Sequence, residues 1–439
     1  PGPYRIPNLS VDSYAVYTNN TPAGAMRGFG VPQIAFATEC QMDLVAERLG
    51  LSPVEIRRRN FFVDGSATHT GQVLTRSFAD ETLRKALEAA GLDLRPPVAV
   101  PGRGWRPVKK RGRGIACSWY GIGRTGTPDC ASAMVEVDDG GTVKILTGVT
   151  EIGEGVTTAL AQIAAEEIGV RLDDVVVGDN DTARVPEAAH AGASRQTYVI
   201  GNAVKIAARE AKRTLYREAG RLLGIPEERV RGRDRKLFPE EDPSRSIDIV
   251  EVLRSCRRQG ILAVGSGYWT APATPVDPET GQGSPWSTYV FAAHAAEVEV
   301  DTETGEVKVL KIVAAHDVGR AINPTLVEGQ IEGGAVMGQG YGLMEEFVLS
   351  EGVTTTPGFA KYILPTTMDV PAIESILVED PEPQGPFGAK GLGEAVSIPT
   401  APAILNAIHD AIGVRFTSLP VTPEKVLLAL EKSDPASKN

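Results

Sequence analysis

The stretch VEVDTETGEVKVL (Val298–Leu310) repeats, almost residue for residue, the earlier VEVDDGGTVKIL (Val135–Leu146). Each copy alternates valine with charged residues at a period of two and turns on an Asp- and Gly-containing tip. That pattern predicts a β-hairpin. A glycine-bearing loop and a helical pattern follow both copies, in TEIGEGVTTALAQIAAEEIG (Thr150–Gly169) and in GRAINPTLVEGQIEGGAVMGQG (Gly319–Gly340). We read an internal duplication of a strand–strand–loop–helix unit rather than a solenoid array. Two such copies related by pseudo-symmetry could face one shared ligand. The expected fold class is α+β, mixed strands and helices around this duplicated unit.

Helical signals surround the two hairpins. Ile34, Ala37, Gln41, Leu44, Val45 and Arg48 fall mostly on one stripe, with Pro32 suited to the first helical position and Gly50 to end the helix. Ser52-Pro53 predicts a short helix through Arg58, and Asp80–Ala90 another, closed by Gly91. A long helix is predicted over Ala193–Gly224, with Ser194 as its N-cap. Near the end, Ile404, Leu405, Ile408 and Ile412 share a face, and Thr422-Pro423 opens a last helix. The basic, Pro/Gly-rich stretch Arg95–Gly114 reads as a solvated linker. Val11, Tyr14, Val16 and Tyr17 predict a strand near the start. With no leading methionine, the chain is expected to be a fragment or one part of a split subunit.

Composition narrows the function. The 439 residues are 42% hydrophobic and 23% charged, a globular balance. A net charge of −11 argues against nucleic acid, which is held through Lys and Arg. The four cysteines form no CxxC pair, so neither a zinc nor an iron–sulfur site is expected from this chain, and a cytoplasmic location is. No apolar run approaches the roughly 18 residues of a membrane span.

Two glycine patterns are weighed for chemistry. GIGRTG (Gly121–Gly126) matches the dinucleotide fingerprint, but Thr127-Pro128-Asp129 and a predicted strand follow where a helix is needed, so nucleotide binding is rejected. AGAMRGFGVPQ, TEIGEGVTT, HAGASRQ and QGPFGAKGLGE all precede helices. Such loops let backbone N–H groups approach an anion, and four of them suggest a long anionic ligand such as a pyrophosphate-bearing cofactor. A single carboxylate, Glu394, stands in the last of them. His190 and His316 read as hydrogen-bonded structural histidines.

AMRGFGVPQ, EIGEGVTTALAQIAAEEIGV, GDNDTARVPEAAHAGASRQT, NPTLVEGQIEGG and GAKGLGEAVSIPTAPAILNAI occur together and in order. With these motifs the chain resembles the large molybdenum subunit of the xanthine dehydrogenase and aldehyde oxidase family over nearly its whole length. The resemblance implies a molybdenum–molybdopterin cofactor, as such or as its cytosine dinucleotide, with the metal held by the pterin dithiolene. It implies that Glu394 is the general base in hydroxylation of an N-heteroaromatic ring or an aldehyde. Arg27, Gly28, Phe29 and Gly30 would lie beside metal and pterin. Gly192, Ala193, Ser194 and Arg195 match a loop that contacts the cofactor and approaches the substrate, and Gly153, Glu154 and Gly155 match a pterin loop. The family usually has glutamine at Glu154, and a carboxyl donates a hydrogen bond only when protonated. Gln330, Lys390 and Gly391 complete the expected cofactor contacts, and Phe29, Trp119 and Tyr120 the substrate pocket. Carbon monoxide dehydrogenases carry cysteine at the place of Gly28, so that activity is not expected.

The resemblance also implies domains: residues 1–110 as the end of a first molybdenum domain plus linker, and 111–439 as a second, in subdomains 111–250 and 251–439. Implied partners are the N-terminal half of the molybdenum subunit, an iron–sulfur subunit and an FAD subunit. Without that N-terminal half, the isolated chain is not expected to hold cofactor stably. The competing expectations are a 4-hydroxybenzoyl-CoA reductase-type subunit and a non-catalytic assembly subunit of the same fold.

Overall fold

The computed structural model describes residues 2–92, 108–125 and 128–433. Three helices come first: α1 (Val31–Leu49), α2 (Pro53–Asn60) and α3 (Ala79–Ala90). Gly50 and Gly91 close α1 and α3 in the left-handed conformation, and Ser52 Oγ accepts the Glu55 N–H to cap α2. Then follow β1 (Lys109–Ile122), β2 (Cys130–Val137), β3 (Val143–Leu146), α4 (Val156–Ile168), β4 (Val175–Val177) and α5 (Gly201–Leu223). A small sheet of β5 (Val230–Arg233), β6 (Lys236–Pro239) and β7 (Ile247–Asp248) leads into α6 (Ile249–Arg258). The second half holds β8 (Ala263–Thr270), β9 (Thr288–Asp301), β10 (Val307–Gly319) and α7 (Pro324–Leu343). It continues with the hairpin β11 (Leu349–Ser350) and β12 (Val353–Thr354), then β13 (Ala372–Glu379), α8 (Thr400–Ile412) and α9 (Pro423–Ser433).

Both expected hairpins form, as β2–β3 and β9–β10. The duplication runs further than the repeated motif. One sheet has the order β4-β3-β2-β8, the other β13-β10-β9-β1. In each, a hairpin is flanked by a parallel strand reached through a crossover helix (α4 or α7) and by an antiparallel edge strand. The edge strands are exchanged between the copies. β1 precedes the first hairpin yet pairs with β9, and β8 precedes the second hairpin yet pairs with β2.

A helix lies directly on each exchanged strand, and paired glycines allow the approach. A methyl at Gly112 or Gly114 would stand 2.1 and 2.3 Å from backbone atoms of Ala407 in α8. A methyl at Gly265 or Gly267 would stand 2.1 and 2.0 Å from the carbonyls of Ala207 and Ala203 in α5. Ala203, Ala207 and Ala211 on one helix and Ala403, Ala407 and Ala411 on the other keep both interfaces backbone-close.

Several expectations are corrected. Val11, Tyr14, Val16 and Tyr17 are exposed and belong to no strand; a strand needs a paired edge, and the pairing nearest to them in the chain is the Tyr4↔Phe61 bridge. Residues 95–107 of the expected linker lie outside the described residues, and its end opens β1. After Ile122 the next element is β2, with no helix among the described residues between them to serve the GIGRTG pattern.

One buried pair gives the fold a pH dependence. His294 on β9 and His316 on β10 are fully buried, their Nε2 atoms 2.8 Å apart, so one ring donates and the other accepts. His294 Nδ1 also meets Thr400 Oγ1 at 2.9 Å. Burial lowers His316 to about 3, and burial together with the His316 charge holds His294 well below the usual histidine range. The unfolded chain takes up protons below about pH 6.5 and the folded one does not, so stability present above that pH is lost as pH falls towards 3. Each histidine contributes a slope of up to ~1.4 kcal/mol per pH unit. Urea midpoints measured from pH 7 to 4 should fall in the native chain and flatten in a His294→Gln/His316→Gln variant.

Candidate active site

The turn before α1, the end of β1, the loops before α4, α5 and α8, and the first turns of α7 line one cavity of about 1420 Å³. Of the expected site residues, Arg27, Phe29, Gly30, Trp119, Tyr120, Gly153, Glu154, Gly155, Gly192, Ala193, Ser194, Gln330, Lys390, Gly391 and Glu394 all border it. Gly28 and Arg195 do not. Gly28 supplies backbone shape, with φ +94° and Pro32 packed against the space a side chain would fill. Arg195 is fully buried and spends its guanidinium inside the fold. It donates to Asp129 Oδ1 at 2.6 Å, the Ala188 carbonyl at 2.5 Å and the Cys130 carbonyl at 2.7 Å. Its work is to pin the loop that carries Gly192–Ser194.

Glu394 is held from three sides. The Tyr120 hydroxyl donates to its Oε2 at 2.7 Å, and its own N–H donates to Ser194 Oγ at 3.0 Å. Arg27 Nε donates to the preceding carbonyl, Gly393 O, while Arg27 Nη2 donates to Gln330 Oε1 at 2.8 Å. Burial lowers the Arg27 guanidinium from its usual value and the nearby Glu394 charge partly restores it. Burial, then the Glu394 charge and the hydrogen bond to it, push Tyr120 far above the ordinary phenol range.

Ser194 and Glu394 occupy equivalent places in the two copies, nine positions before Ala203 and Ala403, which sit alike on their glycine strands. Ser194 is therefore not the expected N-cap. Its φ is +51°, a π-helical turn over Gln196–Ile200 precedes α5, and its hydroxyl crosses to the other copy's loop. The loops touch so closely that a methyl at Gly391 would lie 1.6 Å from the Ser194 carbonyl oxygen. Gly391→Ala should force them apart at a cost of about 1–3 kcal/mol, read as a lowered urea midpoint.

The loop before α4 departs from the expected anion cradle. Glu151 Oε1 accepts the N–H groups of Gly153 and Gly155, both at 2.9 Å, and Oε2 accepts from the Thr157 N–H and hydroxyl, both at 3.1 Å. A protein carboxylate thus already occupies this helix N-terminus. Burial alone would raise Glu151, but the amides of Gly155, Thr157 and Gly153 outweigh it and lower it. Glu154 moves the other way, raised first by burial and further by the Glu151 charge. Its Oε2 accepts the Ile152 N–H at 2.9 Å, and its buried Oε1 has no partner among the described residues.

Other expected positions differ in what they contact. The Lys390 ammonium turns away onto Asp317 at 2.7 Å and the Tyr289 carbonyl at 3.0 Å. Burial raises Asp317 and the lysine partly offsets this. Trp119 stacks on Tyr289, centroids 4.5 Å apart, with Phe62 beside it at 5.0 Å, so much of its ring is structural. Phe29, at φ +48°, is 70% exposed on the cavity wall. Sequence reading missed Glu151, the cavity-lining Gln196 and Asn323, whose amides donate to the Thr150 carbonyl and Gln162 Oε1, and the Ser194–Glu394 bond. Glu151, an acid just ahead of a helix N-terminus, and Asn323, an N-cap followed by proline, had local signals.

The cavity fits a large cofactor with room for a substrate. It exceeds the roughly 300–1,000 Å³ of a small-molecule site. Methyl groups at Gly30 or Gly153 would meet no atom within 4 Å, so these loops leave open space beside their backbone. Among the described residues no group of three His, Cys, Asp or Glu side chains could hold a metal ion.

Comparison with known proteins identifies the family. Two family models described as molybdopterin cofactor-binding domains match residues 1–61 and 85–371. The chain is 32% identical to a probable xanthine dehydrogenase subunit of Bacillus subtilis, over 98% of this chain and 56% of the relative. It is 34% identical to a putative xanthine dehydrogenase molybdenum-binding subunit of Escherichia coli, over 94% of this chain and 54% of the relative. The solved aldehyde oxidoreductase from Desulfovibrio gigas superposes with a TM-score of 0.77 at 30% identity, over 93% of this chain and 42% of that one. The chain thus spans about half the length of the curated relatives it matches.

Proposed function

The chain belongs to the molybdenum hydroxylase family of xanthine dehydrogenases and aldehyde oxidoreductases, as part of a molybdopterin-binding large subunit, and from that premise we propose that it hydroxylates an N-heteroaromatic or aldehyde substrate. In that reaction a C–H bond is replaced by C–OH, the oxygen comes from water, and two electrons and two protons leave. The observation that carries the reading is Glu394, the one acid of its glycine loop, brought to the wall of a cavity shared with five other segments of the chain.

When bound, a molybdenum–pterin group would supply the electron acceptor and make water more acidic. The chain's residues would do the rest. Glu394 would take a proton from the water that becomes the product hydroxyl. Arg27 and Gln330, linked to each other, would hold the pterin from one wall, and Glu154, through its free Oε1, from another. Phe29, exposed on the wall, offers a flat face to an aromatic or aldehyde substrate. The names of the relatives, as subunits, support assembly with partner chains, which we read as the remaining part of the molybdenum subunit and iron–sulfur and FAD units that carry the electrons away. No helix among the described residues is long and apolar enough to cross a membrane. The four free cysteines support a reducing compartment, the cytoplasm. Turnover of a Glu394→Gln variant that keeps its cofactor tests the proposal; near-normal turnover overturns it.

A further inference from the structure

We propose that Tyr120 is the positioning residue of the general base: its hydroxyl anchors Glu394 Oε2 and so leaves Oε1 as the oxygen that takes the proton. The inference rests on the general-base reading above and deepens it. Tyr120 stands near the end of β1, in register with Val290 of β9, so a long paired strand fixes its backbone. Its ring is 9% exposed and its hydroxyl lies 2.7 Å from Oε2. Ser194 Oγ and Arg27 hold the two polar ends of the Gly393–Glu394 peptide, the Glu394 N–H and the Gly393 carbonyl. With the backbone held and one carboxylate oxygen anchored, the side chain has little freedom left. No described donor is bonded to Oε1. Tyr120 therefore acts on the base rather than on the substrate ring, the role its aromatic character suggested.

The charged groups that face Glu394 set what removal of the hydroxyl can do. Tyr120 from β1 and Arg27 from the turn before α1 are its immediate neighbours; Glu154, His190, Arg124 and Arg320 lie elsewhere on the cavity wall, as does Glu39, which is paired with Arg57. Lys390, on the same loop, is paired with Asp317. A hydrogen bond donated to a carboxylate favours its charged form, and one to a charged group is worth about 1.5–3 kcal/mol. Deleting it should free the carboxylate to turn about its side-chain torsions.

The test is Tyr120→Phe, which removes one oxygen and keeps the ring. In the cofactor-loaded complex, kcat should fall by about tenfold as orientation is lost, with KM little changed. Isotope-edited infrared spectra of the full chain, with Glu394→Gln as blank, should show the Glu394 carboxyl band displaced in Tyr120→Phe, without turnover. An unchanged kcat and an undisplaced carboxyl band in Tyr120→Phe, while Glu394→Gln still abolishes turnover, overturns the positioning role and leaves the base intact. Near-normal turnover in Glu394→Gln itself removes the premise instead.

Discussion

Glu394→Gln is expected to lower kcat by ~10²–10⁴-fold while leaving the melting temperature and cofactor content unchanged. Glutamine keeps the shape of the side chain, and its amide oxygen still accepts from the Tyr120 hydroxyl. The bond from the residue 394 N–H to Ser194 Oγ and that from Arg27 to the Gly393 carbonyl involve the backbone and survive the exchange. What disappears is the ability to take a proton. Because that service is needed only in the transition state, kcat and kcat/KM should fall together, with substrate binding little altered. The measurement is steady-state turnover normalised to molybdenum content. A variant with full metal and a rate within a few fold of the native value would remove Glu394 from the mechanism.

Asp129→Ala should have the largest effect on the fold around the cavity. Asp129 and Arg195 are 2% and 0% exposed, and their ion pair is 2.6 Å long. The same carboxylate accepts the Arg124 N–H at 3.0 Å through its other oxygen. Removing it strands a guanidinium away from water, a loss of about 3–5 kcal/mol in comparable pairs. Asp129→Asn, which keeps an acceptor but not the charge, should lose less. Since Arg195 ties down the Ala188 carbonyl at the base of the loop bearing Gly192–Ser194, the alanine variant should also release cofactor more readily. Urea unfolding followed by circular dichroism, with metal analysis after gel filtration, reads both effects. A change below ~1 kcal/mol would show that the pair is not what holds this loop.

The hairpins were legible because a period of two over Val135–Val137 and Val298–Val300 is a local signal, and so is a glycine ahead of a helix. For the same reason the helix ends at Gly50, Gly91 and Gly224 could be read directly, each ending in a left-handed glycine. Convergence of the glycine loops on one cavity followed from treating them as one ligand's cradle. Pairings between distant segments were not legible. Nothing near Ser194 says that its hydroxyl meets a residue two hundred positions away, and nothing near Gly112 or Gly265 says that its strand leaves its own repeat. Charged residues misled where the fold found them internal partners, as with Arg195 and Lys390. A β-branched, aromatic run such as Val11–Tyr17 has strand propensity, but propensity makes no ladder without a neighbouring edge.

The exchange of β1 and β8 has an evolutionary consequence. Two copies that trade an edge strand have the topology of a swapped homodimer whose subunits were joined head to tail. Equivalent places in the two copies now carry different groups, a hydroxyl at position 194 and an acid at 394, and the two are bonded to each other across the copies. The paired architecture thereby presents one lopsided centre in place of two matching ones, with each copy buttressing the loop of the other.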